Sequence, residues 1–468
     1  MLILSLESST TSAKAMLYDT VTGRKRIKVK PYPKMYEDQS LHDGEKVFLA
    51  TMEAGRELAD GREISIISLG ATWHSVMLCN RAMSPVSPVY LWSHTGASDL
   101  CKKLRADETA VDRFYQTTGC MVNAIYPVFK LMLLKEKYRL PELYIMGQGT
   151  YMTWRLTGQR VITKCMASGS GLLNVHTKTW VGDLIRELGL REDQLSRLVP
   201  YDKTCSLTEE GAKLLGVKSG IPVLPANSDG GLNQVGVGAL REGIMTFSMG
   251  TSGAMRLSTA QPVLSPNHST WCYLSPKGWL SGAATSGCCN CIDWFRNKIG
   301  DGKTYAQLES EDIRRTPVFI PHLFGERCPG WRDESLGLFA GLEPQHDIRD
   351  MYRAVQEGVL FNLYQCYRIL VGSSGAPDKV RLSGGILQSQ VWKQMCADIF
   401  QIPMEVDEVQ QASLQGGAVL AMELLGVIPD AADYEEKVSE ILLPDPCKRT
   451  LYEEKYERYI KFYDSLCK

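Results

Sequence analysis

The chain has 468 residues, 44% of them apolar and 22% charged, with 52 Lys plus Arg against 53 Asp plus Glu and a formal net charge of -1. A chain this apolar and this neutral excludes disorder, and its length passes the roughly 250–300 residues at which a single core stops growing, so two domains are expected. The missing basic surplus argues against nucleic acid, and no run approaches the ~18 apolar residues of a membrane span.

The first predicted elements are short strands at residues 2–6 and 13–18 around the polar turn Ser8-Ser9-Thr10-Thr11-Ser12. The opening apolar stretch reaches Glu7 with no basic residue ahead of it, unlike a signal peptide. The fourteen cysteines then read as reduced thiols of a cytoplasmic protein. The turn, with Lys14 beyond it, offers hydroxyls, N–H groups and an ammonium to phosphate oxygens; equally, its side chains could simply hold the hairpin to itself. The short basic run Gly23-Arg24-Lys25-Arg26 reads as an exposed hairpin turn.

A strand is expected at residues 64–70 and amphipathic helices at 126–140 and 183–198. A strand at 221–224 runs into Pro225-Ala226-Asn227-Ser228-Asp229-Gly230-Gly231, where Asp229 could accept a proton in a cleft or cap the following helix. The domain boundary is expected near residues 239–243, dividing the chain into 1–240 and 241–468.

The second half opens like the first, with strands at 244–248 and 254–257 around Met249-Gly250-Thr251-Ser252-Gly253, which hints at an internal duplication. Two such turns could grip one polyphosphate from opposite sides. Cys288-Cys289-Asn290-Cys291 lacks a second pair at metal-ligand spacing and reads as buried thiols on a helix. A long helix at 350–370, a Gly/Ser/Pro break at 372–377, a strand at 379–382, the pair Gly384-Gly385 and a helix at 391–400 complete an α/β alternation. Neither a Walker A loop nor a GxGxxG fingerprint is present.

In order and spacing these pieces resemble the FGGY carbohydrate kinases, from about Leu2 to Gly426. Gly325-Glu326-Arg327-Cys328-Pro329-Gly330-Trp331 is similar to that family's Gly-Glu-Arg-x-Pro-x-Trp segment. Residues 337–342, running on to 353–358, follow a family signature with Gln356 at a usually apolar place. Gly384-Gly385 with Trp392, Gln394, Ala397 and Asp398 resembles the adenosine motif, and Gly416-Gly417-Ala418 a later glycine turn.

The resemblance implies an α/β fold of two ribonuclease H-like (actin-like ATPase) domains with a cleft between them. It implies ATP and Mg²⁺ as cofactors and a sugar or sugar acid as substrate, and it leaves a homodimer open. Asp229 would take the proton from the sugar hydroxyl. Thr10, Thr11, Ser12 and Lys14, with Gly250, Thr251 and Ser252, would hold the ATP phosphates, and Gly384 and Gly385 would face the adenosine. His74 and Trp92 match sugar-contacting positions, although a core tryptophan and a buried histidine are their alternative readings.

The chain departs from the pattern twice. Glu7 stands where such kinases carry an Asp that positions Mg²⁺ through water, and Ser9 replaces a glycine. After Trp92 the family's Trp-x-Asp-x-Arg becomes Trp92-Ser93-His94-Thr95-Gly96, which makes His94 the expected substitute contact to the substrate. Trp73-His74-Ser75 and residues 119–130 resemble gluconate kinases, with xylulose kinases next. The departures also motivate a second reading, a sugar-binding sensor that kept the kinase fold; the retained Asp229 and both turns argue against it. An actin-like assembly protein is disfavoured by the Asp229 turn and the Gly-Glu-Arg segment.

Overall fold

The apolar run that opens the chain becomes a strand buried on both faces, and a sheet grows around it. The structure, a computed structural model, describes residues 1–310, 316–407 and 409–466. Strand β1 (Leu2–Ser8) pairs antiparallel with β2 (Ser12–Asp19), which pairs with β3 (Lys25–Pro31). On its other side β1 pairs parallel with β4 (Ile64–Ala71). With β5 (Cys205–Ser206) and β6 (Pro222–Ser228) the sheet order is β5-β6-β4-β1-β2-β3.

The second sheet holds β7 (Ile244–Met249), β8 (Gly253–Thr259), β9 (Trp271–Leu274), β10 (Trp279–Thr285), β11 (Lys379–Gly384), β12 (Met404–Asp407) and β13 (Val438–Leu442). Their order is β9-β10-β8-β7-β11-β12-β13. Its wiring repeats the first: β7 is antiparallel to β8 and parallel to β11, as β1 is to β2 and β4. The duplication hinted at by two polar turns is a duplication of sheet topology.

The helices that position the site are α1 (Gly44–Ala59), α2 (Asp229–Gly236), α3 (Cys289–Lys298), α4 (Ile348–Ser374), α5 (Gln390–Phe400) and α6 (Ala412–Leu424). Because side chains alternate along a strand, Leu6 of β1 packs at Gly55 of α1 while Ser5 faces Gly417 of α6. Helix α6 therefore comes from the second half of the chain and covers the first sheet. It crosses α2 closely: a Cβ on Gly416 would lie 1.9 Å from the Leu232 carbonyl, and one on Gly236 1.8 Å from the Ala412 carbonyl. Gly416-Gly417 is thus not a turn, as expected, but helix interior, and its glycines permit the crossing.

Three other expectations shift. The helix expected at 126–140 spans only Pro127–Leu134, and a short 3-10 turn follows at Leu140–Glu142. The segment 183–198 is helical only over Gly182–Glu187, and Arg197–Val199 is recruited as a strand beside Val161–Thr163. Helix α4 runs two residues further into its Gly/Ser/Pro break than its first glycine and ends at Ser374, with Gly375 as its C-cap and the Ser373 and Ser374 hydroxyls bonding back to the carbonyls of Ile369 and Leu370. Cys288 is the N-cap residue of α3, and Cys288 and Cys291 are buried.

Candidate active site

The two sheets meet where β9 lies against the first half. The Cys272 N–H donates to the Gly119 carbonyl at 2.9 Å, the Leu274 N–H to the Ser168 hydroxyl at 3.0 Å, and the Tyr126 and Tyr273 hydroxyls are 2.7 Å apart. Above this seam opens a cleft of about 240 Å³. It is smaller than the roughly 300–1,000 Å³ of drug-sized sites and suits a molecule on the scale of one sugar. Thr10, His74, Trp92, Asp229 and Ser252 all line it, so both polar turns and three expected contacts share one wall-to-wall space.

Asp229 stands at the first position of α2, just past the end of β6. The helix cap is made by Ser228, whose hydroxyl accepts from the Gly231 N–H at 3.0 Å, so Asp229 is not needed as the cap. One Asp229 oxygen accepts from the N–H groups of Gly230 (2.7 Å) and Trp73 (3.3 Å). Burial, reinforced by the nearby Glu7 carboxylate, pushes its pKa up to about 6 against those hydrogen bonds and Arg256. A carboxylate so tuned is ionised at neutral pH yet basic enough to accept a proton.

Glu7 sits at the end of β1, almost fully buried, in register with Lys14. The Lys14 ammonium lies 3.1 Å from one Glu7 oxygen, while the other Glu7 oxygen is buried without a partner. The Ser9–Ser12 turn is closed by the Ser9 N–H and hydroxyl, both on the Ser12 carbonyl (3.1 and 2.8 Å). Thr11 is exposed at its tip. Trp92 ties the turn to the cleft wall, its indole N–H donating to the Thr10 hydroxyl at 3.1 Å.

His74 has a left-handed backbone, φ 61°, a conformation that costs a non-glycine residue of order 1–3 kcal/mol. It is held from both ends. Buried Lys130 donates to the His74 carbonyl at 3.3 Å and to that of Ile125 at 2.8 Å, and the His74 Nδ1 lies 2.6 Å from the Gly169 carbonyl. Burial drops the His74 pKa to about 3 and that of Lys130 to about 7. The imidazole is therefore neutral, Nδ1 must donate to the carbonyl, and Nε2 is left as an acceptor.

The second turn is braced by α3: the N–H groups of Cys289 and Asn290 donate to the carbonyls of Gly250 (2.9 Å) and Thr251 (3.3 Å). Beside it, Gly384 pairs with Met249 and has φ 100°; a Cβ there would lie 2.3 Å from the Met249 carbonyl, so only glycine fits. Gly385 abuts the Cys289 thiol. Gly250, Thr251, Gly384 and Gly385 thus cluster at the end of the second sheet, next to the cleft rather than in it.

His94 does not line the cleft. Its ring packs edge-on against Tyr90 at 5.0 Å and lies over Gly96, whose missing side chain leaves the space, while its Nδ1 is buried without a partner. Among the further lining residues that the sequence pattern did not single out as contacts are Trp271, Tyr273, Arg256 and Arg327. Trp271 and Tyr273 stack at 4.2 Å and, with Trp73 and Trp92, give the cleft apolar faces that suit sugar C–H groups. Arg256 announces itself by period: Ser252, Ala254 and Arg256 share the cleft-facing side of β8.

Residues 2–236 match the N-terminal domain of the FGGY family of carbohydrate kinases, and residues 245–424 match its C-terminal domain. The chain belongs to that family. As an FGGY carbohydrate kinase with an actin-like ATPase fold, it is a phosphotransferase that uses ATP to phosphorylate a sugar. It is 28% identical over 455 residues to a gluconokinase of Bacillus subtilis (strain 168), covering 91% of this chain and 88% of that protein. It is 26% identical over 462 residues to a xylulose kinase of Escherichia coli (strain K12), covering 93% and 92%. The solved gluconate kinase of Lactobacillus acidophilus superimposes with a TM-score of 0.93 at 27% identity, covering 99% of this chain and 98% of that one. The xylulose kinase of the same organism gives 0.94 at 27%, covering 100% and 98%. Among the described residues no helix is long and apolar enough to cross a membrane.

Proposed function

We propose that this FGGY kinase transfers the γ-phosphoryl group of ATP to a hydroxyl of a sugar acid of the gluconate type, with Asp229 as the base. The observation that carries the reading is the buried Asp229 carboxylate, poised near pH 6 in the cleft that Thr10 and Ser252 line from opposite halves. Asp229 takes the hydroxyl proton, the freed oxygen forms a bond to the γ-phosphorus, and the bond to the β–γ bridging oxygen breaks to release ADP. The Ser9–Ser12 and Gly250–Ser252 turns hold the phosphates through N–H groups and hydroxyls, and Gly384-Gly385 gives the adenosine a face without side chains. His74 Nε2 and the aromatic walls orient the sugar. Gluconate is favoured over xylulose by the Trp73-His74-Ser75 segment and by the gluconokinase relatives.

The unpartnered Glu7 oxygen near Asp229 fits a divalent cation, and Glu7 is the residue that would hold Mg²⁺. A cation bound there would offset charge on the transferring phosphoryl group.

ADP release measured across aldonates, ketoses and polyols tests the reading. Release that depends on an aldonate is expected. Tight sugar binding with no ADP from any acceptor would make the protein a sensor instead.

A further inference from the structure

The cleft holds unpaired positive charge as well as the base. Asp229 lines it, with Glu7 near enough to raise its pKa. Three cations, Arg327, Lys130 and Arg256, lie near enough to His74 to oppose its protonation. Lys130 is occupied by two backbone carbonyls, but the guanidiniums are not. Arg256 Nε and Nη1 and Arg327 Nε are buried and make no hydrogen bond. Both side chains line the cleft.

The fold aims these groups rather than neutralising them. Arg256 projects from β8 on the same face as Ser252. Arg327 could have been paired with its neighbour Glu326, but that carboxylate is saturated by the Gly330 N–H, the Arg332 guanidinium and the Tyr463 hydroxyl. Glu326 anchors the loop, and Arg327 is left pointing inward. The two arginines lie close enough for Arg327 to disfavour the charge on Arg256. Like charges held together, desolvated and without a hydrogen-bond partner destabilise a fold unless an anion completes them. Arg256 stands beside the base: its Nε would lie 3.4 Å from a Cβ on Gly230, the residue after Asp229.

We propose that Arg256 and Arg327 form a clamp for the carboxylate of the sugar-acid substrate, taking over the anchoring role of the charged pair missing after Trp92. The proposal rests on the sugar-acid reading given above. A substrate with both a hydroxyl and a carboxylate matches these groups: the hydroxyl meets Asp229 and the carboxylate meets the guanidinium fork, which binds such groups in bidentate fashion. The same donors could instead hold the transferring phosphate, so the test separates the two anions.

Calorimetric dissociation constants for gluconate, gluconamide and a non-hydrolysable ATP analogue are compared in the wild type, Arg327→Gln and Arg256→Gln. The wild type is expected to prefer gluconate over the uncharged amide by about 30-fold or more, equivalent to about 2 kcal/mol. Each variant is expected to lose that preference while ATP-analogue binding stays within about threefold. The variants should also melt no lower than the wild type without ligand, because an unpaired repulsive charge has been removed, and gluconate should no longer raise their melting temperature as it does the wild type's. Variants that keep the preference, or that lose ATP-analogue affinity instead, overturn the clamp and leave the sugar-acid reading standing. A wild type that binds gluconate and gluconamide alike overturns both. An arginine-dependent preference without any ADP release sustains the clamp and removes the kinase reading.

Discussion

The hairpins β1–β2 and β7–β8 have the same wiring and different chemistry. Each ends in a hydroxyl-rich turn, and each has a parallel strand at its side whose continuation decides what the turn faces. In the first half β4 continues into Thr72-Trp73-His74, an aromatic wall with a strained histidine. In the second, β11 ends in Gly384-Gly385, backbone with no side chains. The first hairpin carries the cross-strand pair Glu7–Lys14 just below its turn, where the second has the neutral Ser248 opposite Ala254. One scaffold used twice thus carries a charged pair directly below its first turn and a neutral pair below its second, where we propose that amides and hydroxyls meet the nucleotide.

A substitution at Gly384, beside the second turn, should therefore disturb the nucleotide and spare the sugar. Gly384→Val places a Cβ against the Met249 carbonyl and forces a branched residue to φ 100°. A strain of up to about 3 kcal/mol predicts a rise in the ATP KM of about 100-fold, with gluconate binding within threefold of wild type. Loss of both affinities together would break the division of labour.

Glu7→Gln should lower kcat by about 30-fold by weakening cation positioning, an effect of about 2 kcal/mol. It should also move the acid limb of the pH–rate profile below its wild-type position, because the Glu7 charge is one of the forces raising the Asp229 pKa. A limb that stays in place would uncouple the two carboxylates.

Gly416→Val overpacks the α2–α6 crossing and should cost about 1–3 kcal/mol in denaturant unfolding while both KM values hold. The smallest effect is expected from Trp92→Phe. It removes one hydrogen bond to Thr10, worth about 1 kcal/mol, and should raise the sugar KM about fivefold.

Much of the architecture is legible in local pattern. The strand–turn–strand units, the strand at β4 and the helix at α5 follow from short apolar runs bounded by turn residues, and the motif spacing identifies both turns and Asp229. What escapes the sequence depends on partners distant along the chain. The strand at Arg197–Val199 forms because Val161–Thr163 lies beside it, overriding a helical periodicity. Gly416-Gly417 reads as a turn until α2 is placed against it. In the site, His94 looks like a substrate contact from its place after Trp92, yet Tyr90 and Gly96 offer it a pocket away from the cleft. Arg327 sits in a recognised segment, but only the saturation of Glu326 reveals that its own charge is free for a ligand.

The central claim, a proton acceptor at Asp229 serving phosphoryl transfer, meets its most direct test in gluconate-dependent ADP release by wild type and Asp229→Asn over about pH 5–8, with melting curves on the same samples. For the wild type, kcat/KM should rise with pH through a value near 6 as the carboxylate ionises. The variant should lose about 10³-fold in kcat while still binding gluconate. The folded-state pKa of Asp229 lies above its ordinary value of 3.8, so its ionisation costs stability: the cost is absent below about pH 4 and complete above 6. Asp229→Asn should therefore melt higher than wild type at pH 7–8, by an amount corresponding to about 2–3 kcal/mol, and lose that advantage as pH falls toward 4. A variant that turns over at the wild-type rate with an unchanged pH profile would contradict the account.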